Sequence, residues 1–167
     1  SISAIAVGDG IGINAQSAYG DVVVTNASDI EAVGIVLSAK GIQGYAYGNV
    51  DIDNSGYVYA GSLYGTAIGI YGYSIAGDVS INNSGDINAV SYYGLADGIF
   101  ASGANVDVTN SGAIETYGYA WSAGIEAQGA DSTSVTNGGD ITATASGFLQ
   151  VEAYDAYFSL KEGLEGL

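Results

Sequence analysis

The 167 residues contain no cysteine, histidine, proline or methionine, and Lys40 and Lys161 are the only cations. Each absence removes a class of chemistry. Without Cys or His there is no Ser–His or Cys–His nucleophile pair and no imidazole or thiolate metal site. Two cations against 18 acidic residues leave a formal charge of −16. Nucleic-acid binding rests on Lys and Arg neutralising phosphates, so no nucleic-acid partner is expected. An anionic membrane surface would repel the chain for the same reason. No apolar run approaches the roughly 18 residues of a membrane span. Lack of Met, the initiator included, raises the expectation of a chain processed from a precursor. The scarcity of Lys and Arg leaves trypsin-like proteases few sites, which suits an exposed location.

What is present is 27 Gly, 14 Tyr and 48% hydrophobic residues. That apolar fraction is too high for a disordered chain, and the length suffices for one domain with a core. The apolar residues come in short pieces, and the pieces repeat. One motif recurs five times: Val24-Thr25-Asn26-Ala27-Ser28-Asp29-Ile30, Ile52-Asp53-Asn54-Ser55-Gly56-Tyr57-Val58, Ile81-Asn82-Asn83-Ser84-Gly85-Asp86-Ile87, Val108-Thr109-Asn110-Ser111-Gly112-Ala113-Ile114 and Val135-Thr136-Asn137-Gly138-Gly139-Asp140-Ile141. A Gly-Ile pair follows the first four, at Gly41-Ile42, Gly69-Ile70, Gly98-Ile99 and Gly124-Ile125.

Within each repeat apolar residues alternate at the strand period. Val22/Val24 and its equivalents form a first strand, Ile30/Ala32 a second and Ile42/Gly44 a third. Three short strands and three turns per 27–29 residues predict a parallel β-solenoid. Its coils are triangular and stack about 4.8 Å apart with like residues over like. Right-handedness is expected from the general chirality of parallel crossovers. The column Asn26, Asn54, Asn83, Asn110 and Asn137 predicts a ladder of amides bonded from coil to coil, with Asn also suiting a left-handed turn residue. The glycines two residues on (Gly56, Gly85, Gly112, Gly139) suggest positive φ. Outward columns such as Asp21, Asn49, Asp78, Asn105 and Ser132 alternate acid with neutral, which keeps like charges two coil heights apart.

Both ends fall within the repeat. Ile2-Ser3-Ala4 matches the second strand and Gly12-Ile13-Asn14-Ala15 the third. Val151-Glu152-Ala153 matches Ile125-Glu126-Ala127, and Phe158-Ser159-Leu160 falls where the next first strand is due. That counts to 18 strands, or about six coils, over residues 1–153 plus a terminal strand. Residues 154–167 have a second reading: Tyr154, Tyr157, Phe158, Lys161 and Leu164 also line one side of a helix, making a short cap. Open solenoid ends pair with one another unless capped, so Ile2, Ala4, Ile13, Phe158, Leu160 and Leu164 are candidate contacts between copies.

The Asn-Ser-Gly-Asp-Ile pattern, with Gly-Ile halfway along each repeat, resembles the β-solenoid repeats of bacterial autotransporter passenger domains and filamentous-haemagglutinin-like adhesins. The resemblance covers residues 1–153. It implies a secreted bacterial surface protein of adhesion or matrix building and carries over no catalytic or binding residue.

The remaining chemistry is sparse. Asp51 and Asp53 share one outward strand face with Asp107 two coils away, but no apolar or cationic neighbour is evident to split their pKa values as a glycosidase requires. Asp29, Asp86 and Asp140, or Asp51 and Asp53, are weak calcium candidates; the glycine-rich calcium nonapeptide is absent, so diffuse counter-ions are the ordinary reading and no cofactor is expected. Tyr92, Tyr93, Tyr117, Tyr119 and Trp121 are either aromatic ladders at corners or a lateral or glycan-binding surface. An ice-binding face is disfavoured, since Thr25, Thr109 and Thr136 are interrupted by Asp53 and Asn82. The expectation is a non-enzymatic extracellular fibre subunit that associates head to tail, with a carbohydrate-binding adhesin stalk as the alternative.

Overall fold

A computed structural model describes residues 1–147 and 151–152. It is all-β, and its strands wind into a parallel β-solenoid of about five turns. The first face is built by β3 (Val22–Asn26), β6 (Val50–Asn54), β9 (Val79–Asn83) and the C-terminal parts of two long strands, β11 (Leu95–Asn110) and β13 (Trp121–Asn137). The second stacks β1 (Ile2–Ala6), β4 (Ile30–Gly34), β7 (Val58–Ser62), β10 (Ile87–Ser91), β12 (Ile114–Gly118) and β14 (Ile141–Ala145). The third holds β2 (Gly10–Ser17), β5 (Ala39–Ala46), β8 (Ala67–Ser74), the N-terminal parts of β11 and β13, and β15 (Val151–Glu152). Every pairing is parallel, and like stands on like: Ile2 on Ile30, Ile30 on Val58, Ile87 on Ile114 and Ile114 on Ile141.

The core is the set of alternate positions the sequence marks as apolar. Nine isoleucines, from Ile30 to Ile125, are almost wholly buried. Burying each such side chain contributes about 2 kcal/mol. The Gly-Ile anchor has a packing reason. A Cβ on Gly41, Gly69, Gly98 or Gly124 would collide with a γ-carbon of Val58, Ile87, Ile114 or Ile141 from the second face. These glycines leave room for a β-branched side chain in a narrow interior. Where the second and third faces converge there is space only for Ala39, Ala60, Ala67 and Ala89. In a later coil a buried hydroxyl pair, Thr116 Oγ1 and Ser122 Oγ at 2.7 Å, occupies the equivalent positions.

The glycine column after the Asn ladder is required for a different reason than positive φ. No residue among those described has positive φ, so neither Gly nor Asn adopts the left-handed region expected of this turn. The constraint is stacking. A Cβ on Gly56 would lie on the carbonyl oxygen of Ser28, and one on Gly85, Gly112 or Gly139 on that of the glycine one coil before. Turns piled this closely leave no volume between backbones.

The register of β15 also differs from expectation. Val151 stands on Ser122 and Glu152 on Ala123, three positions from the expected partnership with Ile125 and Glu126. β14 ends at Ala145 and β15 begins at Val151, whereas β12 ends at Gly118 and β13 begins at Trp121, so β15 starts three residues later in its coil. The strand or cap expected over 154–167, with Phe158, Leu160 and Leu164, lies outside the described residues.

Candidate functional site

Each coil has three corners, and they differ in construction. The corner between first and second faces is the amide corner. Asn26, Asn54, Asn83 and Asn110 each donate Nδ2–H to the Oδ1 of the next Asn, at 2.7, 2.8, 2.7 and 2.7 Å. Each Nδ2 also donates to the carbonyl two residues on in its own turn, and Asn137 makes the same local bond to Gly139. The middle three amides are buried, so the ladder satisfies groups that water cannot reach. The five amides form the expected ladder, but without the left-handed backbone also expected of them.

Acids gather beside this corner. Asp21, Asp29, Asp51, Asp53, Asp78, Asp86, Asp107, Asp131 and Asp140 all lie on the first face or its flanking corners, half of the chain's 18. They stack as alternating columns: Val23 on Asp51, Asp51 on Ser80, Ser80 on Asp107 and Asp107 on Ser134. Several also accept backbone N–H groups of the next coil: Asp21 Oδ1 from Asn49 at 2.7 Å, Asp78 Oδ1 from Asn105 at 3.1 Å and Asp86 Oδ1 from Ala113 at 2.9 Å. The calcium candidates Asp29, Asp86 and Asp140 sit in one column separated by Tyr57 and Ala113, while Asp51 and Asp53 share one strand of the first face. Among the described residues no three acidic groups converge as metal ligands.

The corner between second and third faces is built the opposite way. Its turns splay apolar side chains outward: Val7, Ile35, Val36 and Leu37 at the N-terminal end, then Tyr64, Tyr92, Tyr93, Leu95 and Tyr119. All are exposed, Val7 to 70%, and together they form an apolar ridge along the solenoid, with Asp9 its only acid among the described residues. The turns beneath are pinned by serines. Ser62 and Ser91 Oγ accept Gly65 N–H and Gly94 N–H, both at 2.9 Å, and donate to carbonyls of the preceding coil. Of the aromatic candidates, Tyr92, Tyr93 and Tyr119 lie on this ridge, while Tyr117 and Trp121 flank it half-buried. Tyr117 donates to Ser146 Oγ at 2.9 Å.

Ring geometry bears on what such residues can bind. Tyr64 and Tyr93 stack at 5.3 Å and 15°, while Tyr93 and Tyr119 are 6.4 Å apart and tilted by 53°. On the third face Tyr45, Tyr73, Tyr71 and Phe100 form one continuous parallel stack, with Lys40 Nζ 4.6 Å from the Tyr71 ring centre. A stacked ring gives its face to its neighbour and its edge to solvent. Burial, then the neighbouring phenols Tyr73 and Tyr45, raises the Tyr71 pKa.

Sequence reasoning passes over one residue. Asp97, at the start of the third face in β11, is only 7% exposed, and its Oδ1 has no hydrogen-bond partner among the described residues. Its pKa is pushed up to about 7, first by burial and then by the Glu126 carboxylate, with a hydrogen bond from Trp121 opposing. The available signal is positional: Asp97 precedes the Gly98-Ile99 anchor and stands between Ile68 and Ala123 in the stack.

No protein-family model, curated protein or solved structure matches the chain.

Proposed function

We propose that the chain is a structural, non-enzymatic protein of an extracellular or cell-surface fibre, extended by end-to-end stacking of β-solenoids. One observation carries this reading. Among the described residues, strands β1, β2 and β3 each pair on one side only, and the core columns run out to that edge, leaving Ile2, Ile13 and Ala15 partly uncovered. An open, in-register parallel edge with an apolar interior behind it is a template for another coil. Ile2, Ala4 and Ile13 are the side chains such a coil would cover; Phe158, Leu160 and Leu164, outside the described residues, are the opposing contacts expected from the sequence. Calcium, if bound, is a surface counter-ion in this reading.

The edge supplies its own test. Ile2 N–H is spent on the carbonyl of Asp29 in the next coil, which turns the N–H of Ser3 to the open side. Ser3→Pro removes an edge donor without breaking an internal bond. Electron microscopy of the purified protein at high concentration is expected to reveal filaments for the wild type and discrete particles for Ser3→Pro. Monodisperse wild-type particles reject the reading. A carbohydrate-binding adhesin stalk is the alternative, supported by the exposure of Tyr92 and Tyr93. Glycan-array binding lost in Tyr92→Ala/Tyr93→Ala, with folding retained, would establish it.

A further inference from the structure

The apolar ridge carries an oxidisable pair. The chain has no Cys, Met or His, so its 14 tyrosines and Trp121 are the side chains a one-electron oxidant finds. Tyr64 and Tyr93 are 58% and 60% exposed and lie on adjacent coils with ring centres 5.3 Å apart. Their turns are held in the same shape by the Ser62 and Ser91 hydroxyls and by the bond from Tyr93 N–H to the Leu63 carbonyl at 3.0 Å. Two phenols fixed in this way meet at an effective concentration that free tyrosines never reach.

We propose that Tyr64 and Tyr93 are a dityrosine cross-linking site, closed by a peroxidase-type one-electron oxidant. Each phenol loses one electron and its O–H proton, giving two phenoxyl radicals. The radicals combine through ring carbons ortho to oxygen, forming one C–C bond. Each ortho hydrogen then moves to its phenol oxygen and aromaticity returns. The net loss is two protons and two electrons, which hydrogen peroxide takes up to form two waters. The product staples two turns of the ridge and does not depend on filament formation.

The other ring pairs are less suited. Tyr45 and Tyr73 are equally close, but Tyr73 is half-buried within a stack that continues through Tyr71 to Phe100. Tyr93 and Tyr119 are farther apart and tilted.

The test treats the full chain, dilute and monomeric, with a haem peroxidase and hydrogen peroxide. Cleavage at aspartate puts the two residues on different peptides, because Asp78 and Asp86 lie between them. The expected product is a Tyr64–Tyr93 peptide pair lighter by two hydrogens, with dityrosine fluorescence at the monomer position of a denaturing gel. Tyr64→Phe/Tyr93→Phe keeps the ring stack and should reduce that fluorescence to the unoxidised background, whereas Tyr45→Phe/Tyr73→Phe should retain it. Undiminished fluorescence in Tyr64→Phe/Tyr93→Phe, cross-links only between other tyrosines, or cross-links only between molecules overturns the proposal.

Discussion

The amide corner and the apolar ridge are both turns between strands of the same coil, repeated at the same heights, yet they hold together by opposite means. At the amide corner three residues separate the Asn from the next strand in every coil, the side chains point inward, and each polar atom of the ladder is bonded. At the ridge the turn length varies, the side chains point outward, and the hydrogen bonds come from serine hydroxyls below. The third corner varies more: four residues, 75–78, separate β8 from β9, while β11 passes the same point as one strand with a register shift between Gly103 and Asn105. The 27–29-residue variation in repeat length therefore falls at the two corners without the ladder. A corner whose buried polar groups bond from coil to coil tolerates no insertion, because one extra residue would strand every amide above and below it. A corner that buries little is free to vary, and its surface is available for contact.

The sharpest way to break this comparison is to remove one amide from the middle of the ladder. Asn83→Ala deletes bonds to Asn110 and Gly85 and takes from the Asn54 amide its acceptor in the next coil, all in a buried setting. Losing these bonds and orphaning the partners is expected to cost about 5 kcal/mol. An unfolding free energy from denaturant titration lowered by less than about 1 kcal/mol would mean the ladder is not what holds the corner.

Next in size is Asp97, just beyond the ridge. Its folded pKa of about 7 lies above the ordinary aspartate value of 3.8, so the native state keeps a proton that the unfolded chain releases. Stability from this group is therefore intact below about pH 4, falls as pH rises to about 7, and is flat above. Raised acid pKa values of this size correspond to about 4 kcal/mol. The Glu126 carboxylate is the like charge that acts on it, and the neutral Trp121 indole donates a hydrogen bond to it. Asp97→Asn should stabilise the protein at pH 8, and the difference between variant and wild type should vanish near pH 4. A difference independent of pH would show that Asp97 is not the titrating group.

The smallest effect belongs to the ridge itself. Tyr64→Ser/Tyr93→Ser removes exposed rings and one stacking contact and is expected to cost about 1 kcal/mol in thermal or denaturant unfolding. A loss as large as that of Asn83→Ala would erase the distinction between the two corners.

Much of this was legible beforehand. Alternation at Val50/Ile52 or Ile87/Ala89 and the spacing of the Asn residues are properties of neighbours along the chain, and a stack of similar coils repeats them in register. Alternation fails at Ala96-Asp97-Gly98-Ile99, where all four residues are buried, so counting by twos gives no hint that an acid is enclosed. The ridge was half legible: its tyrosines stand out in composition, but nothing in the repeat pattern marks Ile35, Val36 and Leu37, which the turn splays outward.

The amino-acid sequence by itself determined the solenoid, the three strands of each coil and the amide ladder, because all of them follow from periodicity. Only the tertiary structure decided why Gly56 and its equivalents must be glycine, which apolar residues stay in water, and which carboxyl leaves it. Those are matters of distance between coils: how near one turn's carbonyl comes to the next turn's Cα, and how closely neighbouring side chains close over a position. No spacing along a single chain records them.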